Sequence, residues 1–134
     1  MTEPTSAFSG LMAEYRQAAA KGVLVLPHCR CCDAWQWPPR AACTRCGGSL
    51  EWRPSAGNGR LVTWSVVTRA PREELRSEVP YVVAFVELDE GIRLFTRITG
   101  RDAEALKTGM RVRCGFRAAP DSAASIPVFL VAEG

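Results

Sequence analysis

The stretch "PHCRCCDAWQWPPRAACTRCGGSLEW", residues 27–52, carries five of the chain's six cysteines: Cys29, Cys31, Cys32, Cys43 and Cys46. Cys29 and Cys32 are separated by two residues, as are Cys43 and Cys46, and ten residues lie between the pairs. Two C-x2-C pairs around a loop form the pattern of a four-thiolate zinc site. With two residues between them, both sulfurs of a pair can reach one ion at about 2.3 Å while backbone amides turn toward the sulfur. The turn after each pair favours a residue that tolerates positive φ. Gly47 meets that need easily and Asp33 less comfortably. Cys29, Cys32, Cys43 and Cys46 are therefore the predicted ligands. Cys31 adjoins Cys32, cannot easily replace Cys29 in the same knuckle, and reads as a free thiol. His28 adjoins Cys29, would distort the turn, and reads as a non-ligand. A rubredoxin-like iron site shares the geometry and is the alternative metal reading. A thioredoxin-type redox pair would need a βαβ pattern that neither motif has around it. Four thiolates close a zinc shell, so the expected ion is a structural staple for about 30 residues too few to fold alone.

Three segments follow from this centre. Residues 1–22 hold an expected helix over 5–21. Phe8, Leu11, Met12, Tyr15 and Ala19 recur at helical spacing, with Ser6 as N-cap and Gly22 as stop. That apolar stripe either covers its own domain or docks on a partner. Residues 23–59 form the ribbon, opening on the strand-like GVLVLP and ending at the turn SAGNG. Residues 60–134 read as β-structure. RLVTWSVVTRA, YVVAFVELDE, IRLFTRIT, MRVRCGFRA and IPVFLVA are five strand candidates, with a helix expected in RDAEALKTG between the third and fourth. Three strands, a helix and two strands is the order of a five-stranded OB-fold barrel, although an open sheet or another small barrel fits the same order. In the fourth strand Met110, Val112, Cys114 and Phe116 alternate with Arg111, Arg113 and Arg117, which makes Cys114 an expected core thiol. The fold class is thus mainly β: an N-terminal helix, a rubredoxin-like zinc ribbon and a C-terminal five-stranded OB-fold barrel.

Composition narrows the function. The chain has 134 residues, 47% of them hydrophobic, and a formal charge of +3 from 17 basic and 14 acidic residues. Fifteen of the basic residues are arginine; the lysines are Lys21 and Lys107. Four thiolates subtract four charges and one zinc ion adds two, leaving a formal +1, which lacks the broad pull of a typical nucleic-acid binder. The first residues have acids and small polar side chains where a signal peptide needs an apolar run, and no stretch approaches the roughly 20 apolar residues of a membrane helix. A cytoplasmic protein without a membrane anchor is the expectation, and clustered cysteines in that compartment more often bind metal than pair as disulfides.

A search for catalytic groups yields little. His28 is the one histidine. There is no nucleophile elbow, phosphate loop or dinucleotide fingerprint. Glu87, Asp89 and Glu90 in "VELDEG" read as a strand end and hairpin turn rather than as an acid–base pair. No catalytic residue is assigned. Binding remains open: Arg111, Arg113 and Arg117, with Arg93 and Arg97 beside them, would line one sheet face. Trp35, Trp37 and Trp52 flank the ribbon, where a flat ligand could stack, while Trp64 lies in the first barrel strand. A solvated arginine face and a small aromatic core are the alternatives.

The order of motifs is more specific than any one of them. An N-terminal helix, C-x2-C, "PPR" at Pro38–Arg40, C-x2-C and "EW" at Glu51–Trp52 come first. "SAGNGRLVTWSVV", "PYVVAFVELDEGIRLFTRITG" and "KTGMRVRCGF" follow. Over almost its whole length the chain resembles the "domain of unknown function thirty-five" family, zinc-ribbon and OB-fold proteins associated with acyl-CoA metabolism. It departs in the extra thiol Cys31, in Asp33 where glycine is usual, and in Trp37 where a smaller aromatic is common. The resemblance implies an accessory subunit of a thiolase-superfamily enzyme, either an acyl-CoA thiolase or a retro-aldolase cleaving steroid side-chain acyl-CoAs, or of a hot-dog-type enoyl-CoA hydratase. The partner would hold the catalytic groups, and this chain would scaffold a hetero-oligomer and help bind coenzyme A or acyl-CoA. If CoA lies where ribbon meets barrel, Arg40 and Arg60 are the cations best placed by sequence for its phosphates, and Trp52 for its adenine. The rival reading is a single-strand nucleic-acid module, a role OB barrels also fill.

Overall fold

A computed structural model of the chain describes residues 11–119 and 124–132. It divides into two compact units, Met1–Ala56 and Gly57–Gly134.

In the first unit the described helix, α1, spans Ala13–Ala20. The expected Ser6 cap and the Phe8 position of the stripe lie outside the described residues. Gly22 ends the helix at φ +77, and the amides of Lys21, Gly22 and Val23 return to the carbonyls of Ala18 and Ala19. This left-handed cap is a conformation glycine adopts without steric cost. Ala19 is buried, and the Tyr15 ring sits 5.4 Å from that of Trp37 and 5.9 Å from that of Trp52. This part of the apolar stripe therefore covers its own ribbon. Strand β1 (Val25–Cys29), buried at every position, pairs antiparallel with β2 (Leu50–Pro54).

The second unit is a closed barrel. Its strands are β3 (Asn58–Val67), β4 (Tyr81–Leu88), β5 (Arg93–Thr99), β6 (Arg111–Ala118) and β7 (Ser125–Val131), in spatial order β3-β4-β5-β7-β6. Only the β5–β7 junction is parallel. Inward-facing Leu61, Val86, Leu88, Leu94, Ile98, Val112, Val128 and Phe129 fill the interior. Asp89–Gly91 turn the β4–β5 hairpin, with Gly91 at φ +91 and its amide on the Leu88 carbonyl at 2.8 Å. The helix expected in RDAEALKTG is a single 3-10 turn at Ala103–Ala105. Its Asp102 makes no side-chain cap, and Gly100 and Gly109 at positive φ leave too few residues between them to offset the cost of helix nucleation.

The arginine face expected on the fourth barrel strand is mostly ion-paired. Glu78, in the loop between β3 and β4, binds Arg97 and also Arg117, the latter at 2.8 Å; Arg97 lies 3.9 Å over the Tyr81 ring. The hydrogen bonds from Arg117 and then Arg97 hold the Glu78 carboxyl below the usual carboxylate range. A depressed folded-state pKa means that this contribution is complete above the ordinary value, near about 4.3, and is lost as pH falls through the depressed one. Glu78→Gln is expected to cost about 1–2 kcal/mol at neutral pH. The variant should also lose less stability than the parent between neutral pH and acid. Thermal melts across that pH range check both, and parallel stability–pH curves would show that Glu78 does not set the acid sensitivity.

Candidate metal centre

Strand β1 delivers Cys29 at its C-terminal end, and the chain then turns back through a first knuckle. Asp33 takes φ +64 there and its amide reaches the Cys29 carbonyl at 3.2 Å. The second knuckle repeats the shape, with Gly47 at φ +76 and its amide 2.9 Å from the Cys43 carbonyl. Backbone amides converge on sulfur. Those of Cys31 and Cys32 lie 3.3 and 3.4 Å from Cys29 Sγ, that of Arg45 is 3.3 Å from Cys43 Sγ, and that of Gly48 is 3.4 Å from Cys46 Sγ.

The two loops face each other. All four Sγ atoms of Cys29, Cys32, Cys43 and Cys46 fall within 4.8 Å of one another. Cys29 and Cys46 are 3.5 Å apart, and Cys32 and Cys43 are 3.7 Å apart. A tetrahedral ion with zinc–sulfur bonds of about 2.3 Å requires sulfurs about 3.8 Å apart. The four residues present therefore fit a zinc ion in separation and in donor chemistry. Cys29 and Cys43 are buried while Cys32 and Cys46 face solvent. Electrostatics divides them the same way. The amide of Cys32 is the main cause that brings the Cys29 thiol down to about 6. The amide of Cys46 does most to lower Cys43. The amide of Ala34 favours the Cys32 thiolate, but burial and Cys29 leave that thiol raised. Gly48 likewise favours the Cys46 thiolate, yet Cys29 and Cys32 push it up to about 12. Four thiols so close cannot all ionise without a cation among them.

The residues set aside as ligands lie elsewhere. His28 is 3% exposed. Its Nδ1 is 3.1 Å from Glu51 Oε2, its Nε2 is 3.3 Å from Asp33 Oδ1, and its ring meets Trp35 edge-on at 4.8 Å. Cys31 is exposed. Cys114 is half-buried on β6, and burial raises its thiol to about 11. Two supports of the centre do not follow from the cysteine spacing. A Cβ on Gly48 would sit 2.9 Å from Cys31 Sγ and 3.2 Å from Cys29 Sγ, so the second glycine of "CGG" gives the cluster room. Gln36, buried just after the first knuckle, accepts the Thr44 amide at 3.1 Å and ties that segment to the second knuckle. The polar residue inside "WQW" is its only signal in the sequence.

Arg40 is exposed and Trp52 is half-buried against Tyr15, both in the first unit; Arg60 is exposed on β3 of the second. The carboxylates of Glu87 and Asp89 face Arg93 and Arg111 at 3.4 and 3.3 Å. Among the described residues no helix is long and apolar enough to cross a membrane.

Residues 16–53 match the ChsH2 rubredoxin-like zinc ribbon domain, and residues 52–117 the ChsH2 C-terminal OB-fold domain. A "DUF35 domain-containing scaffold protein" of Methanothermobacter thermautotrophicus is 32% identical over 87% of this chain and 84% of its own length. A "probable enoyl-CoA hydratase alpha subunit" of Thermomonospora curvata is 34% identical over 94% of this chain, which spans only 39% of that protein. A solved structure described as "Ltp2-ChsH2(DUF35) aldolase" superimposes with a TM-score of 0.81 at 32% identity, covering 91% of this chain and 94% of that one. With both modules matched in order around one four-cysteine centre, the chain belongs to the DUF35 family of ChsH2-type proteins, which join a rubredoxin-like zinc ribbon to an OB-fold.

Proposed function

We propose that this chain is a non-catalytic, acyl-CoA-binding scaffold subunit that completes a hetero-oligomer with a catalytic partner in the cytoplasm. The partner would be a thiolase-superfamily enzyme, either a thiolase or a steroid side-chain retro-aldolase, or a hot-dog-type enoyl-CoA hydratase. The observation that carries this reading is the close match, over nearly the whole of both chains, to the DUF35 chain of an aldolase structure. The relatives named as a scaffold protein and as a hydratase alpha subunit point the same way.

Each part of the chain has a role in this reading. Cys29, Cys32, Cys43 and Cys46 hold zinc. Zinc supplies a closed tetrahedral anchor there, with no position left for substrate. The ribbon then presents a fixed surface. The barrel offers an apolar one: Phe85 and Phe95 lie side by side on β4 and β5, ring centroids 5.1 Å apart and 44% and 63% exposed. They border a shallow groove of about 150 Å³ with Thr63, Ser65 and Val83. Exposed aromatic rings rimmed by paired charges have the anatomy of a protein-interface centre. For the CoA group, Arg40 and Arg60 would meet phosphate and Trp52 would stack on adenine with the surface that Tyr15 leaves open.

The test combines turnover and association. The isolated zinc-loaded chain is expected to turn over no acyl-CoA thioester, and Phe95→Glu to weaken association with the catalytic partner at least 10-fold, equivalent to about 1.4 kcal/mol. Robust thiolytic, aldol-cleaving or hydrating activity from the chain alone would overturn the non-catalytic assignment. Unchanged association of Phe95→Glu would remove the aromatic face from the interface. A second reading, single-stranded nucleic acid stacked on Phe85 and Phe95, has those same rings in its favour, since OB barrels bind oligonucleotides on the corresponding strands. It predicts oligonucleotide binding that falls steeply with salt.

A further inference from the structure

The register of the barrel puts like charges side by side. Arg60 on β3 stands directly opposite Arg111 on β6, and two residues away Asn58 stands opposite Arg113. Alternation along each strand places all four on the outer face, and all four are exposed. Two arginines facing each other across neighbouring strands repel and are destabilising unless an anion lies between them. Arg60 and Arg113 make no ion pair among the described residues; on its other side Arg60 stands opposite Glu87 on β4, whose carboxylate is taken by Arg93 at 3.4 Å. Arg111 is held by Asp89, with Nη1 and Nη2 each 3.3 Å from a carboxylate oxygen. Those contacts use two of the five guanidinium N–H donors and orient the fork while leaving donors free.

We propose that Asn58, Arg60, Arg111 and Arg113 form a binding site for a terminal phosphate group on a small molecule. Three guanidinium groups and one carboxamide suit a phosphomonoester dianion, which accepts several charge-assisted hydrogen bonds at once. The site is confined to one end of two strands. Its flank is neutralised by Asp89 and by the Glu87–Arg93 pair, so no continuous basic track leads away for a nucleic-acid backbone. This rests on the ligand half of the function proposed above, since it names the residues that would take a phosphate of CoA, and it is independent of the scaffold half.

The experiment titrates the full, zinc-loaded chain by calorimetry at fixed ionic strength with four probes. They are adenosine 3′,5′-bisphosphate, CoA, dephospho-CoA and a thymidine octanucleotide. The bisphosphate and CoA are expected to bind, and dephospho-CoA, which lacks the terminal monoester, to bind at least 5-fold more weakly. Arg60→Ala and Arg113→Ala should each weaken the bisphosphate about 5-fold, and the double variant should abolish its binding. Arg60→Lys should recover only part, because lysine keeps the charge without the fork. Arg69→Ala, an exposed change in the loop after β3, should bind normally, and unchanged melting temperatures separate lost binding from lost folding. Unchanged affinity in the folded double variant would overturn the site, as would tighter binding of the octanucleotide than of the bisphosphate. So would an unaltered parent chain that binds none of the phosphate probes. Association with the catalytic partner is measured in parallel. A parent chain that associates without binding phosphate loses this site and keeps the scaffold reading; one that binds phosphate without associating keeps the site.

Discussion

A Cys43→Ser chain is expected to lose its metal and with it the ordered ribbon. Cys43 is one of the two buried ligands, its sulfur receives the Arg45 amide at 3.3 Å, and it lies 3.7 Å from Cys32 Sγ. Serine at that position removes the thiolate and leaves a hydroxyl that is a far poorer zinc ligand. The remainder of the unit cannot compensate. Its described secondary structure is one eight-residue helix and two five-residue strands. Structural zinc contributes about 10–16 kcal/mol of apparent folding free energy in comparable small modules at pH 7. Elemental analysis should fall from one zinc per chain to under about a tenth. Amide NMR signals of His28, Gln36 and Leu50 should collapse toward disordered positions. Cys31→Ser, at the exposed thiol outside the cluster, should keep its metal. Full zinc retention in Cys43→Ser would refute the ligand assignment, and stoichiometric iron in the parent chain would replace zinc with the alternative metal.

Phe129→Ala is the second large effect, and it falls on the barrel. Phe129 is completely buried. It sits where the barrel closes, opposite Cys114 on β6 and opposite Ile98 across the parallel junction with β5. Truncation removes an aromatic ring and leaves a cavity at the seam, an event that costs about 3–5 kcal/mol in comparable cores. For a barrel of this size that corresponds to a melting temperature lower by roughly 15–30 °C. Differential scanning calorimetry measures it directly. A fall of less than about 5 °C would mean that β7 does not close the barrel through this side chain.

Both of these residues lie in segments whose role is legible in the amino-acid sequence. The C-x2-C spacing specifies which thiols converge because a single ion admits few loop geometries. The barrel strands are legible because β-branched and aromatic residues dominate them and Gly and Asp mark the β4–β5 turn. Other features depend on contacts distant in sequence. β2 is five residues with no run of β-branched side chains, and its strand state comes from pairing with β1. The 3-10 turn at Ala103–Ala105 has helix-forming residues but too little length between Gly100 and Gly109. The arginine face reads as free from strand periodicity because its partner Glu78 comes from a loop 19 residues before Arg97 and 39 before Arg117. Gln36 and Gly48 act through one hydrogen bond and through one absent side chain, and neither leaves a periodic signal.

That this chain completes an enzyme whose catalytic groups lie on another chain is tested most directly by co-expression. The chain is produced together with a candidate thiolase-superfamily or hydratase partner from the same genome, and native mass spectra of the purified product are recorded. The expected result is a hetero-oligomer with equal numbers of the two chains and one zinc per copy of this one. A folded, zinc-loaded chain that stays apart from a folded partner, at concentrations where the partner is active alone, would contradict it.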